Sequence, residues 1–468
     1  MVFRQIIHDD LGCASYLIGD EKAALAAVVD PRLEIQEYLE IAEYTGVSIV
    51  AILETHNHAD HLSGHGQLAA ATGAPIYIHG EADPAFAHLP IADGFELELG
   101  QVVVRALHTP GHRPEHTSFL LIDRHRGPEP WAVLTGDTLF VNDVARPDLA
   151  IEKRAGARAI HRSLREKLLP LPDGCEVWPA HLGGSMCGGP AIDMKISSTI
   201  GFERSHNAAL AIADAETFVE HATSGLGPQP PNFASIVALN RGPLLDEPGA
   251  PTALDSVELE RALTAGALVV DTRGDRDFDD GHIPAAVCIP AGTPGFGTKL
   301  AWLAEPGQAL VFAGVGDREA RRAARLAASV GLLERRSYLG GGIDSWIGEG
   351  RPLERIERLP VAALAKHAAE SDLQLLDVRE HGEWDLGHIP GSLFQPWHEL
   401  DELPAGLDPE RPVAVLCASG ERAATAASLL QRLGVARVTH VTEGGVPSWG
   451  ELGNPIEITA DPTGAPSS

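Results

Sequence analysis

Four candidate metal ligands, His56, His58, Asp60 and His61, fall within six residues, directly after the apolar run from Val47 to Leu53. His112, Asp137 and His181 follow in similar settings. Side chains presented at strand ends sit on rigid elements and can converge on one point. Imidazole nitrogens and carboxylate oxygens suit zinc, iron or manganese. A single histidine among the 21 in this chain carries no information, but seven ligand-type residues in this order do. A second reactive element is Cys417-Ala418-Ser419-Gly420-Glu421-Arg422. The apolar Val413–Leu416 before it reads as a strand, and Ala423–Leu430 after it as a helix. A thiol in a tight loop before a helix meets backbone N–H donors and the positive end of the helix dipole. Both favour a thiolate and can stabilise a persulfide on its sulfur. Gly420 lets the loop curl, and Arg422 adds charge.

The elements that must carry these residues are legible in outline. Val102–His108 and Trp131–Thr135 read as strands leading into ligands. At 468 residues the chain suggests about three domains. Its second half repeats itself: Gly281-His282-Ile283-Pro284 returns as Gly387-His388-Ile389-Pro390, 106 residues on. Val269-Val270-Asp271-Thr272-Arg273 is likewise echoed by Leu375-Leu376-Asp377-Val378-Arg379, and Gly341–Trp346 by Gly444–Trp449. A period this long marks a duplicated domain. Short apolar strands alternating with Ala- and Leu-rich helices indicate α/β units with parallel sheets. In the first copy Ala313 stands where Cys417 stands in the second, so that copy cannot carry sulfur there. The domain boundaries expected from Gly and Pro clusters are 1–245, 252–355 and 356–460. The tail from Asp461 to Ser468 is expected to be disordered.

The formal net charge of −29 argues against nucleic acid or an anionic membrane as partner. No apolar run is long enough to span a bilayer. The first ten residues lack a signal-peptide core. Five scattered cysteines do not make a disulfide framework, and a reducing, cytoplasmic protein is expected.

The run His56–His61, Thr109-Pro110-Gly111-His112, Thr135-Gly136-Asp137 and Pro179-Ala180-His181 resemble the metallo-β-lactamase superfamily. The resemblance implies an αββα sandwich with the metal site at one edge. Both copies in the second half resemble rhodanese, the sulfurtransferase domain, over almost their full length. Within the rhodanese pattern Asp377, Arg379 and His388 read as structural, and Cys417 with Arg422 as catalytic. Superfamily members fused to rhodanese resemble persulfide dioxygenases, which oxidise a thiol-bound sulfane sulfur to sulfite with O2 and one non-haem iron. That resemblance implies one Fe(II) per chain on His56, His112 and Asp137, a facial triad that leaves positions open for substrate and O2. His58, Asp60, His61 and His181 are then outer partners, or ligands of a second metal as in the dinuclear zinc hydrolases.

Val144–Asp148 and Ser198–Arg204 also resemble the dioxygenase branch. Arg146 and Arg204 are thus candidates for binding the carboxylates of a thiol such as glutathione. Cys187 is a candidate second sulfur-handling thiol near the metal. The expected partners are a small-molecule thiol persulfide, O2, and sulfite or thiosulfate, in a homo-oligomer. The alternative is a zinc-dependent thioester hydrolase of the glyoxalase II type with an accessory sulfurtransferase domain. The fused rhodanese units, and no evident helical substrate domain after residue 245, speak against it. A non-catalytic persulfide sensor is disfavoured by the complete ligand set and the intact Cys417 loop.

Overall fold

The computed structural model describes residues 1–8, 10, 12–183, 187–188, 191–224, 226–370 and 372–459; Asp461–Ser468 lie outside these. The chain forms two compact units. The first is Met1–Gly249 with Ala327–Leu332, and the second Ala250–Leu326 with Leu333–Ser468.

In the first unit β1 (Val2–His8), β2 (Cys13–Asp20), β3 (Leu25–Val29), β4 (Ser48–Leu53), β5 (Ile76–His79) and β6 (Leu89–Ile91) make one six-stranded sheet in chain order. A second sheet holds β7 (Glu96–Leu99), β8 (Val102–His108), β9 (Thr117–Asp123), β10 (Ala132–Gly136), β11 (Glu176–Pro179) and β12 (Ser198–Thr199), also in sequential order. Successive strand residues point to opposite faces, and the apolar ones sort accordingly. Tyr16, Ile18, Ala51, Leu53, Val104, Phe119 and Leu134 fill the layer between the sheets. Leu17 and Ile52 face the other way, meeting Tyr38 and Leu68 of the helices Gln36–Thr45 and His65–Thr72. Leu120 and Val133 meet Ile160 of the helix Lys153–Ser163 and Phe218 of Ala215–Thr223. Three apolar layers separated by two sheets give the αββα sandwich.

β4 lies within its sheet, parallel to β3 and β5, so the ligand-bearing segment leaves from a strand paired on both sides. β10 is likewise central, and its pairing with β11 shifts register between Leu134 and Gly136. Such a bulge re-aims the chain locally, here just before Asp137.

The second unit contains two five-stranded parallel sheets. One comprises β13 (Thr252–Leu254), β14 (Leu268–Asp271), β15 (Val287–Cys288), β16 (Leu310–Ala313) and β17 (Arg336–Leu339), in the order β13-β17-β16-β14-β15. The other repeats this order with β18 (Glu357–Pro360), β19 (Gln374–Asp377), β20 (Leu393–Phe394), β21 (Val413–Leu416) and β22 (Val438–Thr442). The motifs that reveal the duplication are structural. Arg379 donates to both oxygens of Asp377 and, at 2.7 Å, to the Gly387 carbonyl. Arg273 repeats this with Asp271 and Gly281. His388 stacks on Trp384 at 3.6 Å, as His282 does on Phe278 at 3.7 Å. Each pair closes the same turn, which is why these residues locate the fold and not the chemistry.

Candidate active site

The segment after β4 and the turns after β8 and β10 bring His56, His112 and Asp137 together, all buried, with one ligand atom of each within 4.8 Å of the others. Nε2 of His56 and of His112 lie 3.9 and 3.4 Å from Asp137 Oδ2. His181, after β11, places its Nε2 3.3 Å from the same oxygen. His56 Nε2, His112 Nε2 and Asp137 Oδ1 have no hydrogen-bond partner although they are buried. A buried polar atom left unsatisfied costs about 1–3 kcal/mol. Three converging on one point fit a cation that each would ligate.

The other side of each imidazole is fixed. His56 Nδ1 lies 2.9 Å from the Thr55 hydroxyl, which donates to Asp30 Oδ2 at 2.8 Å. His112 Nδ1 donates to the Arg146 carbonyl at 3.1 Å. Both arrangements put the proton on Nδ1 and leave the Nε2 lone pair for a metal. Burial drives His56 well below the ordinary imidazole range and His112 below it, so both rings are neutral. Burial opposes ionisation of Asp137 as well, but His181 outweighs it and holds the carboxyl down to about 2. The donor set is therefore two neutral imidazoles and one carboxylate, which serves either iron or zinc.

His116 proves to be a positioning residue. Its Nε2 accepts the Asp137 N–H at 2.8 Å, and its Nδ1 meets the hydroxyls of Thr109 and Thr138 at 2.9 and 3.0 Å. Burial pushes it down to about 3, which keeps that acceptor available. Gly136 sits at φ 51°, and a Cβ there would lie 2.5 Å from His116 Nε2. Gly136→Ala is expected to destabilise the first unit by ~1–3 kcal/mol and to lower its metal content. Thermal unfolding and metal analysis of the purified variant check this. Thr55→Val, which removes both hydroxyl bonds, is expected to weaken metal binding ~10–100-fold in a chelator competition. Wild-type affinity there would show that His56 is oriented by other groups.

The remaining ligand-type residues separate. His58 turns away from the triad, with its Nε2 3.2 Å from Asp30 Oδ1 and 3.4 Å from Glu54 Oε2. Asp60 lies between His61 (3.1 Å) and His181 (3.6 Å), and Asp60, His181 and Cys187 form a second cluster. Burial first, then the charge of Asp60, pushes the Cys187 thiol up to about 12. Arg146 is buried, with Nε and Nη2 on the two oxygens of Asp148 at 2.7 and 2.9 Å, and its backbone carbonyl is the part that touches His112. Arg204 is tied to Asp173 and donates to the Leu169 carbonyl at 2.6 Å. Both arginines expected to meet substrate carboxylates are thus engaged by carboxylates of the protein itself.

Several functional residues escaped the sequence reading. Asp30 and Glu54 receive His58, and Asp30 also accepts the Thr55 N–H at 2.7 Å. The usable signal was an acid closing the apolar strand β3 just before Pro31. Asn240 is far in sequence, yet its amide donates to the carbonyls of His58 and His61 at 3.0 and 2.9 Å and clamps the ligand segment. Nothing local marks it.

In the second unit Cys417 directly follows β21, fully buried, and its Sγ accepts the Gly420 N–H at 3.1 Å. Gly420 has φ 107° and precedes the helix Glu421–Arg432. Arg422 grips Glu383 through two bonds of 2.5 and 2.7 Å. Burial opposes its charge, but Glu383 and the neighbouring Cys417 outweigh that and keep the guanidinium firmly ionised. The copy has Ala313 at the end of β16, and its Cys288 is buried in β15.

The chain belongs to the metallo-beta-lactamase superfamily, whose model matches residues 8–181, and carries two rhodanese-like domains matched at 255–349 and 361–452. It is 28% identical over 182 residues to the mitochondrial persulfide dioxygenase ETHE1 of Bos taurus, covering 39% of this chain and 68% of that protein. An uncharacterized protein of Mycobacterium leprae is 32% identical over 223 residues, 42% of this chain and 93% of its own. Among solved structures, a metallo-beta-lactamase from Staphylococcus aureus superposes with a TM-score of 0.65 at 28% identity, covering 72% of this chain and 98% of that one.

Proposed function

We propose that the first unit is a persulfide dioxygenase and that Cys417 of the second unit exchanges sulfane sulfur with thiosulfate, sulfite and thiols. The observation that carries the reading is the buried convergence of His56, His112 and Asp137 with their ligand atoms unsatisfied, in a chain similar to persulfide dioxygenases. The cofactor of this reading is one Fe(II) per chain, held by those three residues. Bound there, ferrous iron would supply the one-electron steps that O2 needs to react with a closed-shell persulfide. The residues do the rest. Thr55 and the Arg146 carbonyl orient His56 and His112, and His116 holds the backbone of Asp137. The overall reaction takes one persulfide, one O2 and one water to the free thiol, one sulfite and two protons. Four electrons leave the sulfane sulfur and reduce the O2.

At Cys417 the thiolate attacks the sulfane sulfur of thiosulfate. The new S–S bond forms as the old one breaks, and sulfite leaves with the electron pair. The Gly420 N–H at Sγ and the charge of Arg422 favour the anion on either side of this exchange. The partners of the reading are accordingly small molecules: a thiol persulfide, O2, sulfite and thiosulfate. Among the described residues no helix is long and apolar enough to cross a membrane. All five cysteines are free thiols. Metal analysis of protein grown without added zinc, paired with O2 uptake on a thiol persulfide, tests the metal. About one iron per chain with O2 uptake is expected. Two tightly held zinc ions with thioesterase activity and no O2 uptake would replace the reading with the hydrolase.

A further inference from the structure

Gly420 is held on both sides. Its N–H reaches Cys417 Sγ, and its carbonyl accepts a 2.8 Å hydrogen bond from Nε2 of His440, a fully buried residue on β22. Nδ1 of the same ring lies 2.8 Å from Asp279 Oδ2. Asp279 belongs not to this domain but to the helix Asp275–Asp280 of the copy that lacks the thiol. A carbonyl can only accept, so Nε2–H of His440 donates to Gly420 while Nδ1 faces the Asp279 carboxyl. The charged groups around this pair are Asp279 itself and Arg358, whose Nη1 lies 2.7 Å from Asp279 and 3.5 Å from Asp275. Around the sulfur they are Arg422 and its partner Glu383.

The same copy grips the helix that follows the loop. Lys299 pairs with Glu421 in its first turn. Thr425 donates to the Cys288 carbonyl at 2.8 Å, and the Cys288 N–H donates to Ser428 at 3.1 Å. Gln431 meets His282 at 3.0 Å. Helix and loop are therefore fixed from outside their own domain.

We propose that the domain with Ala313 in its loop sets the sulfur-transfer loop of its neighbour through Asp279 and His440, which act as positioning residues for Cys417. The inference rests on the reading of Cys417 as the sulfur-transfer thiol. The φ of Gly420 aims its N–H at the sulfur, and the His440 bond to its carbonyl pins that turn. Without the pin the thiolate loses a fixed hydrogen-bond donor.

The test uses the full chain with three substitutions. Asp279→Ala removes the outer end of the relay, and His440→Phe removes the donor to Gly420 while keeping ring volume. Asp279→Asn preserves a neutral relay, since its amide can donate to Nδ1 while Nε2–H still meets the carbonyl. Two readouts are taken: steady-state sulfur transfer from thiosulfate to a small thiol, and the pH profile of Cys417 alkylation by iodoacetamide followed by mass spectrometry. Both breaking variants are expected to lower kcat about tenfold and to leave KM for thiosulfate within about twofold. They should raise the alkylation midpoint by about one pH unit. Asp279→Asn is expected to stay within about threefold of wild type.

A folded Asp279→Ala or His440→Phe protein with wild-type kcat and an unmoved midpoint overturns the proposal. An Asp279→Asn protein as impaired as Asp279→Ala does so too. If Asp279→Ala does not fold, His440→Phe decides. The alkylation profile separates this inference from the one beneath it. A wild-type chain that moves no sulfur from thiosulfate removes the role of Cys417, while the midpoints still decide whether Asp279 and His440 govern its thiol.

Discussion

Replacing Cys417 by serine should abolish sulfur transfer from thiosulfate, by at least about a thousandfold as removal of a nucleophile does, and spare O2-dependent persulfide oxidation. Serine preserves the shape of the loop and its contact with Gly420, but its hydroxyl is neither ionised at neutral pH nor able to form a persulfide. Ala313 ends the strand equivalent to β21 in the copy, and Cys288 is buried within β15, with burial pushing its thiol well above the ordinary range. Appreciable transfer remaining in Cys417→Ser would mean that Cys187 or Cys288 carries sulfur instead. The same variant should change the products of the whole chain. Sulfite is a nucleophile, and a persulfide on Cys417 is an acceptor for it, giving thiosulfate and the free thiolate. Linkage in one chain would raise the local concentration of one reactant near the other, provided the geometry permits the encounter. With excess persulfide and O2, wild type should accumulate thiosulfate and Cys417→Ser sulfite, resolved by chromatography. Equal ratios from the two proteins, after correction for spontaneous reaction, would mean that sulfur flows the other way, from thiosulfate through Cys417 to a thiol that feeds the metal.

His112→Ala should lose the metal and all O2 consumption while keeping Cys417-dependent transfer. His112 is one of two neutral imidazoles in the donor set, and its Nε2 has no other partner. Removing a ligand should weaken the metal by more than the ~10–100-fold that loss of an outer hydrogen-bond partner costs. Iron content and O2 uptake are the measurements. An iron-replete, active His112→Ala protein would move the metal to the cluster of Asp60, His181 and Cys187.

The sequence marks the candidate ligands better than it marks what surrounds them. His56, His112 and Asp137 each follow an apolar strand, and a strand end is a local signal. The same holds for Cys417, whose strand and helix were read within two residues of β21 and Glu421–Arg432. Partners drawn from elsewhere in the chain leave no such trace. Asn240 reaches the His58 and His61 carbonyls from 182 and 179 residues further along the chain. The turn of His58 toward Asp30 and Glu54 depends on where β3 lies beside β4, which pattern alone does not give. The two arginines illustrate the same point. Charge type suggests carboxylates, and packing supplies Asp148 to Arg146 and Asp173 to Arg204, partners that local sequence does not reveal.

The helix Glu421–Arg432 buries every residue from Ala423 to Leu430, eight in a row. A helix that closes only its own domain leaves one stripe to solvent; this one has none. The last domain is consequently not a detachable module. Excised at residue 356, it would expose the Ala- and Ser-lined face that Cys288 and its neighbours cover, and it should be poorly soluble even with its thiol loop intact. The same fact gives the other copy its use. With Ala313 in its loop and no thiol there, it still forms the wall against which its neighbour's helix rests, so the pair needs its packing and not its chemistry.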